Sequence, residues 1–141
     1  MRWRNTRTLA LACVLALCAG LWGTSGAHAA DFAHDLAAVC KGEAEFALGA
    51  CACVARNRLA AGQSETAVLA AFYAAPRPPT LFEVRRVEAV LTGYWPCDPR
   101  LWFMFSADDA ARLGLDAADA LLIVRRAPWC VLFFAEDALD G

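Results

Sequence analysis

Histidine and long apolar runs are both scarce in this chain. Two histidines stand in 141 residues, and only His34 lies beyond the first thirty. That argues against a histidine-built metal site, and the cysteine spacing fits no zinc motif either, so no metal and no cofactor is expected. No basic stripe is present, which argues against nucleic acid and against attraction to anionic lipid. No internal repeat, low-complexity tract or long linker divides the chain. The one apolar run, "TLALACVLALCAGLW" from Thr8 to Trp22, is short for a bilayer span, so no stable membrane anchor is expected.

That run sits inside a leader. "MRWRNTR" supplies three arginines ahead of it, and Ala27 to Ala29 ("AHA") makes a small-x-small cleavage site after it. Residues 1–29 therefore read as a signal peptide, leaving 30–141 as a single domain that is secreted or periplasmic. Of the thirteen basic residues, Arg2, Arg4 and Arg7 leave with the leader. Ten then face fifteen acidic ones, a net charge near −5.

Five cysteines remain after cleavage: Cys40, Cys51, Cys53, Cys97 and Cys130. In a small exported domain disulfides are expected, because a small core gains from staples. Cys51 and Cys53 are two apart on a helix and point to nearly opposite sides, so they do not pair with each other. Cys40 with either of them would join the first two helices. Cys97 with Cys130 would tie the loop after the fourth helix to the last strand, leaving one cysteine over.

Periodicity and caps give an α+β order, a mainly helical body followed by a small C-terminal antiparallel sheet. Phe32, Leu36, Val39 and Cys40 mark one face of a first helix over 31–47. "LGACACVARNRLAA" is a small-residue helix suited to a central position, ending near Gly62. "SETAVLAAFYAA" opens on Ser64 as N-cap and is expected to run helical to the proline-rich "PRPP". "TLFEVRRVEAVLTG" carries Thr80 and Glu83 at capping-box spacing and stops at Gly93. "LWFMFS", "ALLIVRR" and "WCVLFFA" read as strands, the last two as a hairpin. "SADDAARLG" reads as a short helix between the first strand and that hairpin.

Candidate chemistry starts with Glu43 and Glu45. At i and i+2 on a helix they diverge, so they cannot face one bond as a pair. One of them can act alone as a general acid in a dry cleft. Asn57 and Arg58 close the central helix, where they can satisfy its last carbonyls or hold a neighbouring loop. Among the C-terminal aromatics, Tyr94 and Trp95 are the best placed by sequence to line a sugar-binding groove.

Together these pieces resemble the SleB-type cell-wall hydrolases, the spore-cortex-lytic group with a lysozyme-like fold. "GEA" (Gly42 to Ala44) is similar to that family's Gly-Glu-Ala catalytic motif, and "ACACVARNRL" to its helix ending in Asn-Arg. "VLAAFYA" looks like the segment before its cleft loop, and "VLTGYWPCDPRLWFMFS" like its helix-Gly, Asp-Pro and aromatic strand. The chain departs from the pattern after Tyr73, where "AAPRPPT" replaces Gln-Phe, and at Pro99-Arg100, which replaces Gly-Gly. The resemblance implies a lytic transglycosylase acting on the MurNAc–GlcNAc bond of peptidoglycan strands. Glu43 would be its acid/base, and Asn57, Arg58, Tyr94 and Trp95 would serve the substrate cleft. The alternative is a non-catalytic exported binding module, such as a periplasmic immunity or inhibitor protein. Its signs would be a solvated Glu43 without a groove and an exposed apolar patch elsewhere.

Overall fold

In the computed structural model, residues 28–140 are described, so nearly all of the leader, 1–29, lies outside the described residues. Residues 28–32 are helical and belong to one compact unit; Ala33–Gly141 forms a second. The second unit opens with helix α1 (33–44), followed by a 3₁₀ turn at Glu45–Ala47. Then come α2 (Leu48–Ala60), α3 (Glu65–Ala70), α4 (Leu81–Leu91), β1 (Phe103–Ser106), α5 (Ala107–Arg112), β2 (Leu122–Arg126) and β3 (Trp129–Phe134). A last 3₁₀ turn covers Glu136–Leu139. The architecture is α+β, a helical body with a three-stranded antiparallel sheet at its C-terminal end. Among the described residues no helix is long and apolar enough to cross a membrane.

Local chemistry accounts for most element ends. The Ser64 hydroxyl accepts from Ala67 N at the start of α3, and Ser106 does the same for Asp109 N before α5. Thr80 and Glu83 form the reciprocal capping box of α4. Helices α2, α4 and α5 are closed by Gly62, Gly93 and Gly114, whose φ values of 93°, 82° and 74° are left-handed. Glycine alone adopts that conformation without steric cost.

Helix α2 is the centre of the body. Leu48, Cys51, Ala52, Cys53, Val54 and Ala55 are all buried, so its first two turns are apolar all the way round. Leu36 and Cys40 of α1, Val68 of α3, and Val87 and Val90 of α4 are fully buried with them. In the sheet β3 is central, pairing β1 (Phe103 opposite Phe134) and β2 (Val124 opposite Val131). Both neighbours shield it, and Phe133 and Phe134 are wholly buried. A second cluster packs α5 on the sheet through Ala110, Leu132 and Phe134.

Two expectations are corrected. Helix α3 stops at Ala70 instead of running to the prolines, because the N–H groups of Tyr73 and Ala74 leave the helical path for Glu43. Two disulfides form: Cys40–Cys51, one of the two pairings left open for Cys40, and Cys53–Cys97, which was not expected. The expected Cys97–Cys130 bond is absent; Cys130 is free and half-buried. The reason lies in Asn57, whose Nδ2 donates to the carbonyls of Asp98 and Leu101, both at 2.9 Å. That clamp lays the loop after α4 against α2, where Cys97 meets Cys53. Cys130 sits in the far hairpin opposite Arg125.

The same loop carries a pH-sensitive tie. Arg100 donates through Nε and Nη2 to the two oxygens of Asp98 at 3.0 and 2.7 Å, and its backbone N donates at 2.9 Å. These bonds from Arg100 lower the Asp98 carboxyl to about 2 from 3.8. A depressed pKa means that its stabilisation is complete above pH ~4 and vanishes as pH falls towards 2. Asp98→Asn should therefore melt below the parent at pH 5 and with it at pH 2. A gap that stayed constant across this range would contradict the assignment. Glu83 behaves in the same direction. The Thr80 N–H, followed by Lys41 Nζ at 2.9 Å, lowers its pKa, and both side chains of the pair are largely buried.

Candidate functional site

Glu43 sits in the last turn of α1, half-buried. Its Oε1 accepts from Tyr73 N at 2.5 Å and from Ala74 N at 2.7 Å. Among the described residues Oε2 has no protein partner. The carboxylate is thus fixed by main-chain donors on one oxygen and leaves the other unpaired among the described residues.

The residue before Glu43 makes this possible. A Cβ at Gly42 would collide with the Ala75 carbonyl oxygen and lie 3.1 Å from its carbon and 3.5 Å from Pro76 Cα. Without a side chain, α1 and the 73–76 segment approach closely enough for the two N–H groups to reach Glu43. Arg77 N donates to Ala38 O at 2.9 Å and pins the far end of that segment to α1. Gly42→Ala should cost roughly 1–3 kcal/mol and push the loop away from Glu43, because the colliding atoms are backbone. Gly49→Ala is the contrast. Its Cβ meets only the flexible Arg86 side chain at 3.4 Å, and the change should gain up to about 1 kcal/mol of helix propensity. Thermal melts of both variants check the pair; equal effects would mean that the Gly42 approach does not matter.

Glu43 opens into a cleft of about 360 Å³, within the range of small-ligand sites. Its walls come from five separate parts of the chain: Val54 and Arg58 of α2, Ala71–Tyr73 after α3, Phe103–Phe105 of β1, Leu113 after α5, and Leu139. Phe103 and Phe105 share one face of β1 with ring centres 5.9 Å apart. Tyr73, 93% exposed, stands at the rim beside the carboxylate.

Arg58 is the cation of this cleft. Its Nε donates to Trp102 O at 3.2 Å, and the guanidinium lies 5.6 Å from the Trp102 ring and 5.4 Å from the Phe103 ring. Burial pulls its pKa below the ordinary value, partly countered by Tyr73 and Glu136.

The sequence candidates divide on this geometry. Glu43 and Arg58 meet in one cleft. Glu45 faces away, exposed, in an ion pair with Arg77 at 3.4 Å, as the angular argument required. Asn57 is spent on loop carbonyls and is not a wall residue. Tyr94 and Trp95 do not line the cleft either. They follow the Gly93 turn, with Trp95 N bound back to Ala89 O and Arg86 over the indole at 5.8 Å, while Tyr94 is 86% exposed. The aromatic wall is instead Phe103 and Phe105, joined by Phe72 and by Tyr73 at the rim. The alternation in "FMF" is the sequence signal that could have found the first two, since residues i and i+2 share a strand face.

A second cleft of about 490 Å³ lies between α5 and the hairpin, lined by Ala110, Leu115, Ile123, Arg125, Cys130 and Leu132 among others. Among the described residues no cluster of three or more His, Cys, Asp or Glu could hold a metal ion. Comparison with protein-family models, with curated proteins and with solved structures returns no match for this chain.

Proposed function

We propose that this is an exported peptidoglycan-cleaving enzyme, a lytic transglycosylase that uses Glu43 as its single acid/base. The observation that carries the reading is a half-buried carboxylate that lines an aromatic-walled cleft and is held on one oxygen by two backbone N–H groups, its other oxygen having no partner among the described residues. The two disulfides fit the exported setting.

Because Oε1 is taken by N–H donors, Oε2 is the atom through which a proton would pass to the substrate. Glu43 passes it to the glycosidic oxygen as the C1–O bond breaks, and positive charge develops at C1 and the ring oxygen. The carboxylate so formed takes the proton from the muramic-acid 6-hydroxyl while O6 closes on C1. The products are an N-acetylglucosamine end and a 1,6-anhydro-muramic end. No water is consumed, Glu43 returns protonated, and no second carboxylate is needed. Exposed Glu45, paired with Arg77, stays outside the chemistry.

The alternative, a binding module, is expected to leave Glu43 solvated and without a groove; the place of Glu43 in the lining of a cleft weighs for the enzyme. The test is incubation of the domain with purified peptidoglycan, followed by mass analysis of what is released. Anhydro-muropeptides are expected. Hydrolysed, non-anhydro ends would overturn the mechanism, and no release from folded protein would overturn the function.

A further inference from the structure

We propose that Arg58 is the specificity determinant of the Glu43 cleft and binds a carboxylate carried by the glycan beside the bond that is cut. This rests on the glycan-cleaving reading above and extends it to the substrate class, an acidic sugar chain and not a neutral one.

The arginine is held but not used up. Its Nε is committed to the Trp102 carbonyl, and the Trp102 and Phe103 rings flank the guanidinium, so its direction is set. Nη1 and Nη2 have no hydrogen-bond partner among the described residues. Among the described residues no half-buried or buried one has a buried side-chain nitrogen or oxygen left without a partner, so both nitrogens are reached by solvent, and Arg58 is among the residues that line the cleft. No described carboxylate forms an ion pair with it, although Glu43 lines the same cleft and Glu136 is near enough to act through its charge. A fixed guanidinium with a free edge matches the two oxygens of a carboxylate, and burial strengthens that pairing over one made in open water.

The remaining walls are apolar, aromatic or backbone, which suits sugar faces and gives no second cation to compete. In a peptidoglycan strand every second sugar bears a lactyl ether. Its carboxyl is either free or amide-linked to a peptide with carboxylates of its own. A chain of N-acetylglucosamine alone has neither, so the two polymers differ at the group Arg58 would read.

The experiment uses the full chain carrying Glu43→Gln, so that binding is read without turnover. Calorimetric titration compares three probes: a peptide-free GlcNAc–MurNAc tetrasaccharide, the same tetrasaccharide with its stem peptides, and chitotetraose. We expect an acidic probe to bind at least about tenfold more tightly than chitotetraose at low salt. That margin should narrow as salt is added. It should disappear when Arg58→Gln is added and survive in part with Arg58→Lys. Preference for the peptide-free probe identifies the lactyl carboxylate as the group bound; preference for the peptide-bearing probe alone identifies the stem. Equal binding of all three overturns the inference and leaves the glycan-cleaving reading standing. Failure of all three to bind overturns both. Should Arg58→Gln fail to fold, the charge preference of the Arg58-bearing protein and its salt dependence decide.

Discussion

Glu43→Gln is expected to lose about 10²–10⁴-fold in the rate of peptidoglycan cleavage, the usual cost of removing one positioned general acid. Its melting temperature should stay close to that of the parent, because the glutamine amide oxygen accepts the same bonds from Tyr73 N and Ala74 N. Those two donors also orient the amide, placing NH₂ where Oε2 stood. The substituted group therefore keeps the loop in place yet has no acidic proton to deliver. Fragment release and thermal melts, measured on the same sample, check both halves. Undiminished cleavage would remove Glu43 from the mechanism. A large fall in melting temperature would mean instead that the carboxylate serves mainly to hold the 73–74 turn.

The second large effect concerns Cys53–Cys97. Removing it with the double change Cys53→Ala and Cys97→Ala opens a loop of 44 residues, and the chain-entropy relation puts the loss at about 4 kcal/mol. The 11-residue loop of Cys40–Cys51 gives about 3 kcal/mol by the same relation. For a domain of this size 4 kcal/mol is a large part of the whole stability and corresponds to a drop of roughly 15–25 °C in melting temperature. The longer bridge also holds the loop that leads into Trp102, whose carbonyl fixes Arg58. Its loss should thus weaken glycan binding as well as folding, whereas loss of the Cys40–Cys51 bridge should mainly lower stability. A double variant within about 1 kcal/mol of the parent would show that the Asn57 clamp alone secures the loop.

How far the structure was legible in the sequence depends on the range of the interaction. Ser64, Thr80 with Glu83, Ser106 and the three stop glycines act within a few residues of themselves, and each does what its local pattern implies. The hairpin of β2 and β3 follows from two apolar runs and a short turn. The failures lie where a distant partner decides. α3 looked able to continue to the prolines, but Glu43, 30 residues earlier, captures its next N–H groups. Spacing alone leaves Cys97 free to reach Cys130, but Asn57, 41 residues before Asp98, fixes the loop elsewhere. Tyr94 and Trp95 are of the type that lines sugar grooves, yet the Gly93 turn carries them away from the cleft. The cleft itself was half visible. Glu43 is marked by the Gly-Glu-Ala resemblance and Arg58 by its place at the end of α2, whereas Tyr73, Phe103 and Phe105 read as ordinary hydrophobics.

Anchoring Glu43 through main-chain N–H groups has an evolutionary consequence. Every residue except proline brings the same donor, so positions 73 and 74 can change identity without disturbing the carboxylate. On the proposed glycan-cleaving reading, Tyr73 would be free to vary with the sugar bound, while the carboxylate beneath it would keep its anchoring. The tight constraint falls on a neighbour with no functional group at all, Gly42, where any side chain would meet the backbone of Ala75. In a lineage adapting to new cell walls, the rim would diversify first and this glycine last.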